Sequence, residues 1–270
     1  MQICATCAVE FDEPVPAVCP ICADERQWVP EDGQAWTTLA ALASAGQRLE
    51  VAPLEPDAWS VVTRPVVGIG QHAVLVRTPH GSVLWDPPGY VDDEAVAEVL
   101  ARGPVVAVAA SHPHMFGVQV EWAERLGRVP VLVAEADASW LGRRSELVVP
   151  WATTHPVVPG FTLHQVGGHF AGSAVAHWPA GAGGRGVLLT GDTVFPNPDR
   201  RSIGFMRSYP NKIPLSAAVA LRIADRLEQL EFDRIYGNFG NVTPRDARAV
   251  LRVSAERHAA WARGDHDHLT

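Results

Sequence analysis

The chain reads as an α+β protein, a four-layer αββα sandwich with a small N-terminal Cys4 metal knuckle. Three observations predict this. The chain divides into two halves in which strand patterns give way to helical ones, the arrangement of two sheets packed face to face beneath helices. All four cysteines lie in the first 22 residues, as Cys4-x2-Cys7 and Cys19-x2-Cys22. Strand-like runs in both halves end in metal-ligating residues beside glycine or proline: Ser111-His112-Pro113-His114, Gly167-Gly168-His169 and Thr190-Gly191-Asp192. The expected division is a knuckle module over 1–32, a connecting segment with a short helix over 33–58, the sandwich over 59–263 and a flexible tail over 264–270.

Composition narrows the class. With 47% hydrophobic and 19% charged residues in 270, the chain can bury a sizeable core. A net charge of −8 argues against a general nucleic-acid or anionic-membrane partner and leaves a small-molecule substrate open. No apolar run reaches membrane-spanning length, and Met1–Pro14 lacks the basic and apolar regions of a secretory signal, so a cytoplasmic location is expected. The sequence gives no oligomeric state.

Four cysteines in two x2-spaced pairs, in a chain without an export signal, suit one tetrahedral ion better than disulfides. A module this short must take much of its folding energy from that metal. Zinc is expected, and iron would also suit a closed thiolate site. After a turn at Glu31-Asp32-Gly33, Trp36–Ala43 reads as a short helix capped by Thr37 or Thr38, and Pro53–Pro56 as a break.

Strands are then expected at Val61-Val62, Val66-Val67, His72–Arg77 and Ser82–Asp86, the last two forming a hairpin about Thr78–Gly81. Asp92 or Asp93 caps a helix through Arg102. The apolar run Pro104–Ala110 is a buried strand leading into His112 and His114. A helix over Phe116–Leu126, a strand over Val129–Val133 and a short helix over Asp137–Leu141 complete the first half. In the second, strands are expected at Glu146–Val149, Phe161–Val166, Ser173–Trp178 and Gly186–Thr190. Gly181–Gly186 reads as a flexible hairpin loop, since it lacks the end of a phosphate loop. A helix follows over Ser216–Leu230 with Val219, Ile223 and Leu227 inward. The last strand is Phe232–Tyr236, and a final helix opens at Thr243-Pro244, with Thr243 as its cap.

The order of His112, His114, His169 and Asp192 resembles the metallo-β-lactamase superfamily, from about Val61 to Ala260. Its members place a His-x-His-x-Asp-His motif after a strand, a lone His in a Gly-His turn, a bridging Asp in a Gly-Asp turn, and a final His. Here Phe116 and Gly117 stand at the Asp and second His of the motif, and Gly237-Asn238-Phe239-Gly240 offers no final His. Cys19-Pro20-Ile21-Cys22 resembles the second knuckle of rubredoxin-like domains.

The resemblance implies one zinc held by His112, His114, His169 and Asp192, and a second held by the cysteines, with iron an option at either. It implies a hydrolase in which metal-bound water attacks an ester, thioester, lactone or amide, with Asp192 serving the water as well as the ion. The lost ligands all belong to the family's second metal, so a mononuclear centre is expected. Asp86 falls where the family keeps an Asp beneath the metal; the alternative is a strand-ending Asp that caps a turn. In the loop after Asp192, Tyr209 and Lys212 are candidate substrate contacts. Two other readings stay open: a mononuclear iron oxidoreductase similar to persulfide dioxygenases, and a metal-binding member of the fold without catalysis.

Overall fold

The computed structural model describes all 270 residues. At the N-terminus, β1 (Gln2–Cys4) pairs with β2 (Glu10–Phe11) and with β3 (Trp36–Thr37), beside a one-turn helix α1 (Pro20–Ala23). Helix α2 (Leu39–Ser44) follows, its first turn capped by the Thr38 side chain on the Ala41 amide. Trp36 and Thr37, expected inside this helix, are instead extended, because they complete the small sheet by pairing with Cys4 and Ile3.

The first large sheet has seven strands: β4 (Arg48–Glu55), β5 (Ala58–Arg64), β6 (Ala73–Thr78), β7 (Gly81–Trp85), β8 (Val105–Ala109), β9 (Val131–Ala134) and β10 (Val148–Trp151), side by side in that order. Helix α3 (Asp93–Leu100), capped by Asp92, joins β7 to β8, and α4 (Gln119–Arg125) joins β8 to β9. The second sheet contains β11 (Thr154–Val158), β12 (Phe161–Gln165), β13 (Ala174–Trp178), a short helical turn α5 (Gly181–Gly184) leading to β14 (Val187–Thr190), and, later in the chain, β19 and β20. Between β14 and β19 run two small hairpins, β15 (Phe195–Pro196) with β16 (Ile203–Gly204) and β17 (Met206–Ser208) with β18 (Ile213–Pro214), then helix α6 (Ala217–Leu227). Strands β19 (Arg234–Tyr236) and β20 (Val242–Thr243) and helix α7 (Ala247–Ala262) close the fold.

The apolar runs explain the layers. Along β6, β7 and β8, Val74, Val76, Val83, Trp85, Ala107 and Ala109 face the other sheet, where Leu163, Ala176 and Leu189 meet them. Their alternates Leu75, Leu84 and Val108 face α3 and α4 with Val99 and Trp122. On the second sheet, Val175, Leu188 and Ile235 pack under Ile223, Leu227 and Leu251 of α6 and α7. Strands with apolar residues on both faces are those buried on both sides, which gives the αββα order.

Several expectations need correction. Pro53–Pro56 does not break the chain; β4 runs through Pro53, and β11, which was not expected, runs through Pro156. Both are edge strands, where a residue without an amide hydrogen is tolerated. Val66-Val67 is outside any strand. Phe116 precedes α4, since Pro113–Met115 forms a single 3-10 turn first. Gly181–Gly186 begins as a compact helical turn with Ala182 and Gly183 left-handed. Tyr236 does not end the last strand, because β20 follows. Thr243 belongs to β20 and does not cap α7, whose cap position is Asp246, left-handed at φ 55°.

The segment 33–58 supplies β3 to the small sheet and β4 to the large one. The N-terminal residues share a core with the first sheet: Ile3, Cys4, Cys7, Cys19, Ile21 and Cys22 cluster with Leu75, Met115, Phe116 and Trp122. The two pack tightly at Gly89, where any Cβ would overlap the Ala8 side chain. No helix is long and apolar enough to cross a membrane.

Candidate metal centre

The site begins at the ends of the parallel strands β7 and β8. Asp86, just past β7, accepts hydrogen bonds from the Ser111 amide at 2.6 Å and the Ser111 hydroxyl at 3.1 Å. Burial pushes the Asp86 carboxyl up to about 7, against the opposing pull of His112 and of the two Ser111 bonds. Ser111 in turn meets His112 Nδ1 at 2.9 Å. Its carbonyl accepts from the Ala174 amide, which ties the end of β8 to the second sheet. Asp86 therefore sits behind His112, one residue removed from the ligand atoms.

His112 is fully extended (φ −170°, ψ 171°), and Pro113 starts the 3-10 turn that brings His114 back to the same point. His169 follows Gly167 and Gly168, both left-handed at φ 69° and 97°, a conformation glycine adopts without strain. The backbone carbonyl of Met206 lies 3.0 Å from His169 Nδ1, which makes Nδ1 the donor and leaves Nε2 as a lone pair. Gly191 serves a different purpose from the other two: its φ is ordinary, but a Cβ there would overlap Ser111 and His112. It lets Asp192 approach.

The result is one cluster of four donors, all within 4.8 Å of one another. Asp192 Oδ2 lies 3.6 Å from His112 Nε2, 3.9 Å from His114 Nδ1 and 3.6 Å from His169 Nε2. His114 Nδ1 and His169 Nε2 are 3.2 Å apart. A tetrahedral zinc with bonds of about 2.0–2.1 Å would separate its ligands by roughly 3.3–3.4 Å, so the donor set fits such an ion. His112 Nε2 is buried with no partner in the protein, as a lone pair aimed at an ion would be. Ring centroids are 4.9–5.1 Å apart, within the reach of one metal. Burial holds His114 down to about 4 and His169 well below the imidazole range, so both are neutral ligands. For Asp192, burial works upward, but the pull of the surrounding imidazoles outweighs it and holds the carboxyl well below its usual range.

The outer oxygen of Asp192 has a partner that the sequence did not reveal. Asn238 Nδ2 donates to Asp192 Oδ1 at 3.1 Å and lies 3.0 Å from the Met115 sulfur. Asn238 follows β19, where the absent final His would stand, and the signal for it was that position. Phe116 lies in the core cluster that also contains the cysteines. Phe170 is the aromatic that packs on all three imidazoles, at 4.9–5.7 Å. Tyr209 donates its hydroxyl to the Asp192 carbonyl at 3.0 Å and packs on Phe195. Lys212 is exposed and left-handed, with no side-chain partner.

The cysteines form the second cluster. Cys4 and Cys22 sulfurs are 3.7 Å apart, Cys7 and Cys19 3.8 Å. A disulfide would bring sulfurs to about 2.05 Å, whereas zinc–sulfur bonds of about 2.3 Å place tetrahedral sulfurs roughly 3.8 Å apart. The Cys19 sulfur first, then Cys22 and burial, pushes the Cys7 thiol up; a cation is what would let all four ionise. Gln34 Nε2 donates to the Cys4 sulfur at 3.3 Å.

A family model described as the metallo-beta-lactamase superfamily matches residues 66–237. The chain is 39% identical to the uncharacterised protein YmaE of Bacillus subtilis (strain 168) over 260 residues, covering 95% of this chain and 94% of that one. Among solved structures, a metallo-β-lactamase from Pontibacter korlensis aligns with a TM-score of 0.55 at 21% identity, covering 80% of this chain and 98% of its own. The FIM-1 metallo-β-lactamase of Pseudomonas aeruginosa in its mono-zinc form aligns at 0.53 and 15% identity, covering 78% and 96%.

Proposed function

The chain belongs to the metallo-β-lactamase superfamily, and from that premise we propose that it is a hydrolase holding one metal ion, zinc, between His112, His114, His169 and Asp192. The observation that carries this reading is the convergence of four donor atoms from three separate loops within 4.8 Å. A zinc held there would supply Lewis acidity and would lower the pKa of a water bound to it to about 7. The substrate class is an ester, thioester, lactone or amide.

The chain's own groups divide the remaining work. Asp192 Oδ2 faces the imidazole nitrogens, ionised, and is the acceptor able to orient water. Asn238 fixes its other oxygen, in the place where the family's second metal would bind the same carboxylate. That bond, with the loss of three ligands at Phe116, Gly117 and Asn238, supports a mononuclear centre. Ser111 and Asp86 hold the His112 ring from behind, as partners of ligating imidazoles do. Tyr209 serves Asp192 through its hydroxyl, and Lys212 is the residue free to meet a substrate's acidic or carbonyl group. The sulfur cluster is proposed as a structural zinc site.

One observation favours a second reading, a metal-holding member of the fold without turnover. His112, His114, His169 and Asp192 are 2%, 1%, 0% and 6% exposed. Four protein ligands without an open position are the mark of structural zinc sites. Metal analysis and turnover separate the two. The hydrolase reading expects two ions per chain, one lost in His169→Ala, and turnover on a panel of the four substrate types that chelation abolishes. Turnover indifferent to chelation and to His169→Ala would defeat it, and iron bound at the nitrogen–oxygen cluster would favour the oxidoreductase.

A further inference from the structure

One side chain of the N-terminal module, Arg26, hydrogen-bonds to the histidine cluster. Arg26 lies just beyond α1, the turn that carries Cys22, and is only 7% exposed. Its guanidinium forks onto both oxygens of Asp24, with Nη2 to Oδ2 at 2.8 Å. Nη1 donates to the backbone carbonyl of His169 at 3.2 Å. The guanidinium Cζ lies over the Phe170 ring, 3.6 Å from the ring centre, with the Trp140 ring at 5.2 Å. Phe170 in turn packs on the rings of all three histidines. On the outer side, Asn211 Nδ2 donates to the Glu25 and Gln27 carbonyls, and Arg207 pairs with Glu25.

We infer that Arg26 is a positioning residue of the metal centre, through which the cysteine module holds His169 and Phe170 in place. This rests on reading the two clusters as metal sites. His169 needs such a hold, because it follows two left-handed glycines and its carbonyl is buried. Removing the donor leaves that oxygen without a partner and frees Phe170 from the imidazoles. A guanidinium suits the task and an ammonium does not. One planar group stacks on a ring, forks onto a carboxylate and donates from its end to a carbonyl. The sulfur cluster, by folding the module, fixes where Asp24 and Arg26 stand. The four thiols are then part of the frame of the histidine site while contributing no atom to it.

The test uses the 270-residue chain loaded with cobalt at both clusters. Sulfur-bound cobalt has an intense ligand-to-metal charge-transfer absorption, and nitrogen- and oxygen-bound cobalt shows only weaker visible bands, so each site has its own signal. Arg26→Gln is expected to shift the nitrogen–oxygen bands and to weaken that site by about tenfold in chelator competition, the low end for a ligand's supporting partner. The sulfur signal stays. Arg26→Lys, which keeps the charge without the planar fork, is expected to behave as the glutamine variant. Phe170→Leu gives a second route to the same band shift if the Arg26 variants fold poorly. Arg143→Gln breaks a different tether of the module, the ion pair with Glu10 at 2.8 Å, and should leave the nitrogen–oxygen bands unchanged. Unaltered bands and affinity in Arg26→Gln, full rescue by lysine, or an equal shift in Arg143→Gln would overturn the inference. Failure of the parent reading looks different: the unmutated protein and His169→Ala would take up cobalt on sulfur alone.

Discussion

The cysteine cluster collects its donors from two short knuckles between Cys4 and Cys22, whereas the histidine cluster draws on three loops between His112 and Asp192. Both are buried, and both have the donor spacing of a tetrahedral ion. The first is a local construction: each x2 spacing presents two sulfurs from one turn, and only the pairing of the two turns is left to folding. The second exists only once the end of β8 in the first sheet meets the ends of β12 and β14 in the second, with Asp86 and Asn238 behind the ligands. The local cluster therefore shapes the folding of the chain around it, and the distant one reports that the fold is complete. Breaking the first should damage the structure; breaking the second should remove a metal and spare the fold.

The largest effect is expected from Cys7→Ser. It removes a ligand from a cluster embedded in the core shared with the first sheet. Loss of a structural metal costs several kcal/mol of folding free energy, so the melting temperature should fall by about 10 °C or more, or the protein should be recovered insoluble. Retention of full thermal stability, read by circular dichroism, would show that the knuckle is an appendage. His169→Ala should release the nitrogen–oxygen ion and lower the melting temperature by only about 5 °C, the effect of losing a bound ligand worth roughly 2 kcal/mol. A collapse as severe as that of Cys7→Ser would erase the distinction between the clusters.

The docking of the knuckle onto the sandwich can be read from pH. Burial pushes the Glu10 carboxyl up to about 7, opposed by its ion pair with Arg143 and its bond to the Val120 amide. The folded protein thus holds this proton more tightly than the unfolded chain, where the carboxyl titrates near 4.3. Stability from this group is complete below about pH 4.3 and is lost as pH rises toward 7, by up to about 3 kcal/mol. Glu10→Gln cannot ionise, so its stability relative to the unmutated protein should rise across that window. A difference that is flat with pH, in paired denaturation curves, would mean that Glu10 stays ionised in its ion pair throughout.

The smallest effect falls on Asn238. Asn238→Ala leaves Asp192 Oδ1 buried without its donor, which costs about 1–2 kcal/mol and should weaken retention of the nitrogen–oxygen ion about tenfold. The stoichiometry should stay at one ion in that cluster. A second ion in the variant, counted by elemental analysis, would mean that the amide alone had been keeping it out.

Local chemistry in the sequence was enough to mark both clusters. Cys-x2-Cys spacing is a property of a few residues, and His112, His114, His169 and Asp192 each stand at the end of a run whose apolar residues require burial. Those same runs, apolar on both faces, determined the αββα order. The sequence was misleading where pairing partners override local preference: Pro53 reads as a break but is tolerated on a sheet edge, and Thr243 reads as a cap but is held in β20 by β19. Only the tertiary structure gave roles to Asn238, Arg26 and Phe170. An amide, a guanidinium and a ring have no preferred spacing from the residues they serve. Their roles are set by which surfaces the packed sheets bring within about 3 Å, the reach of a hydrogen bond, and no pattern along the chain encodes that distance.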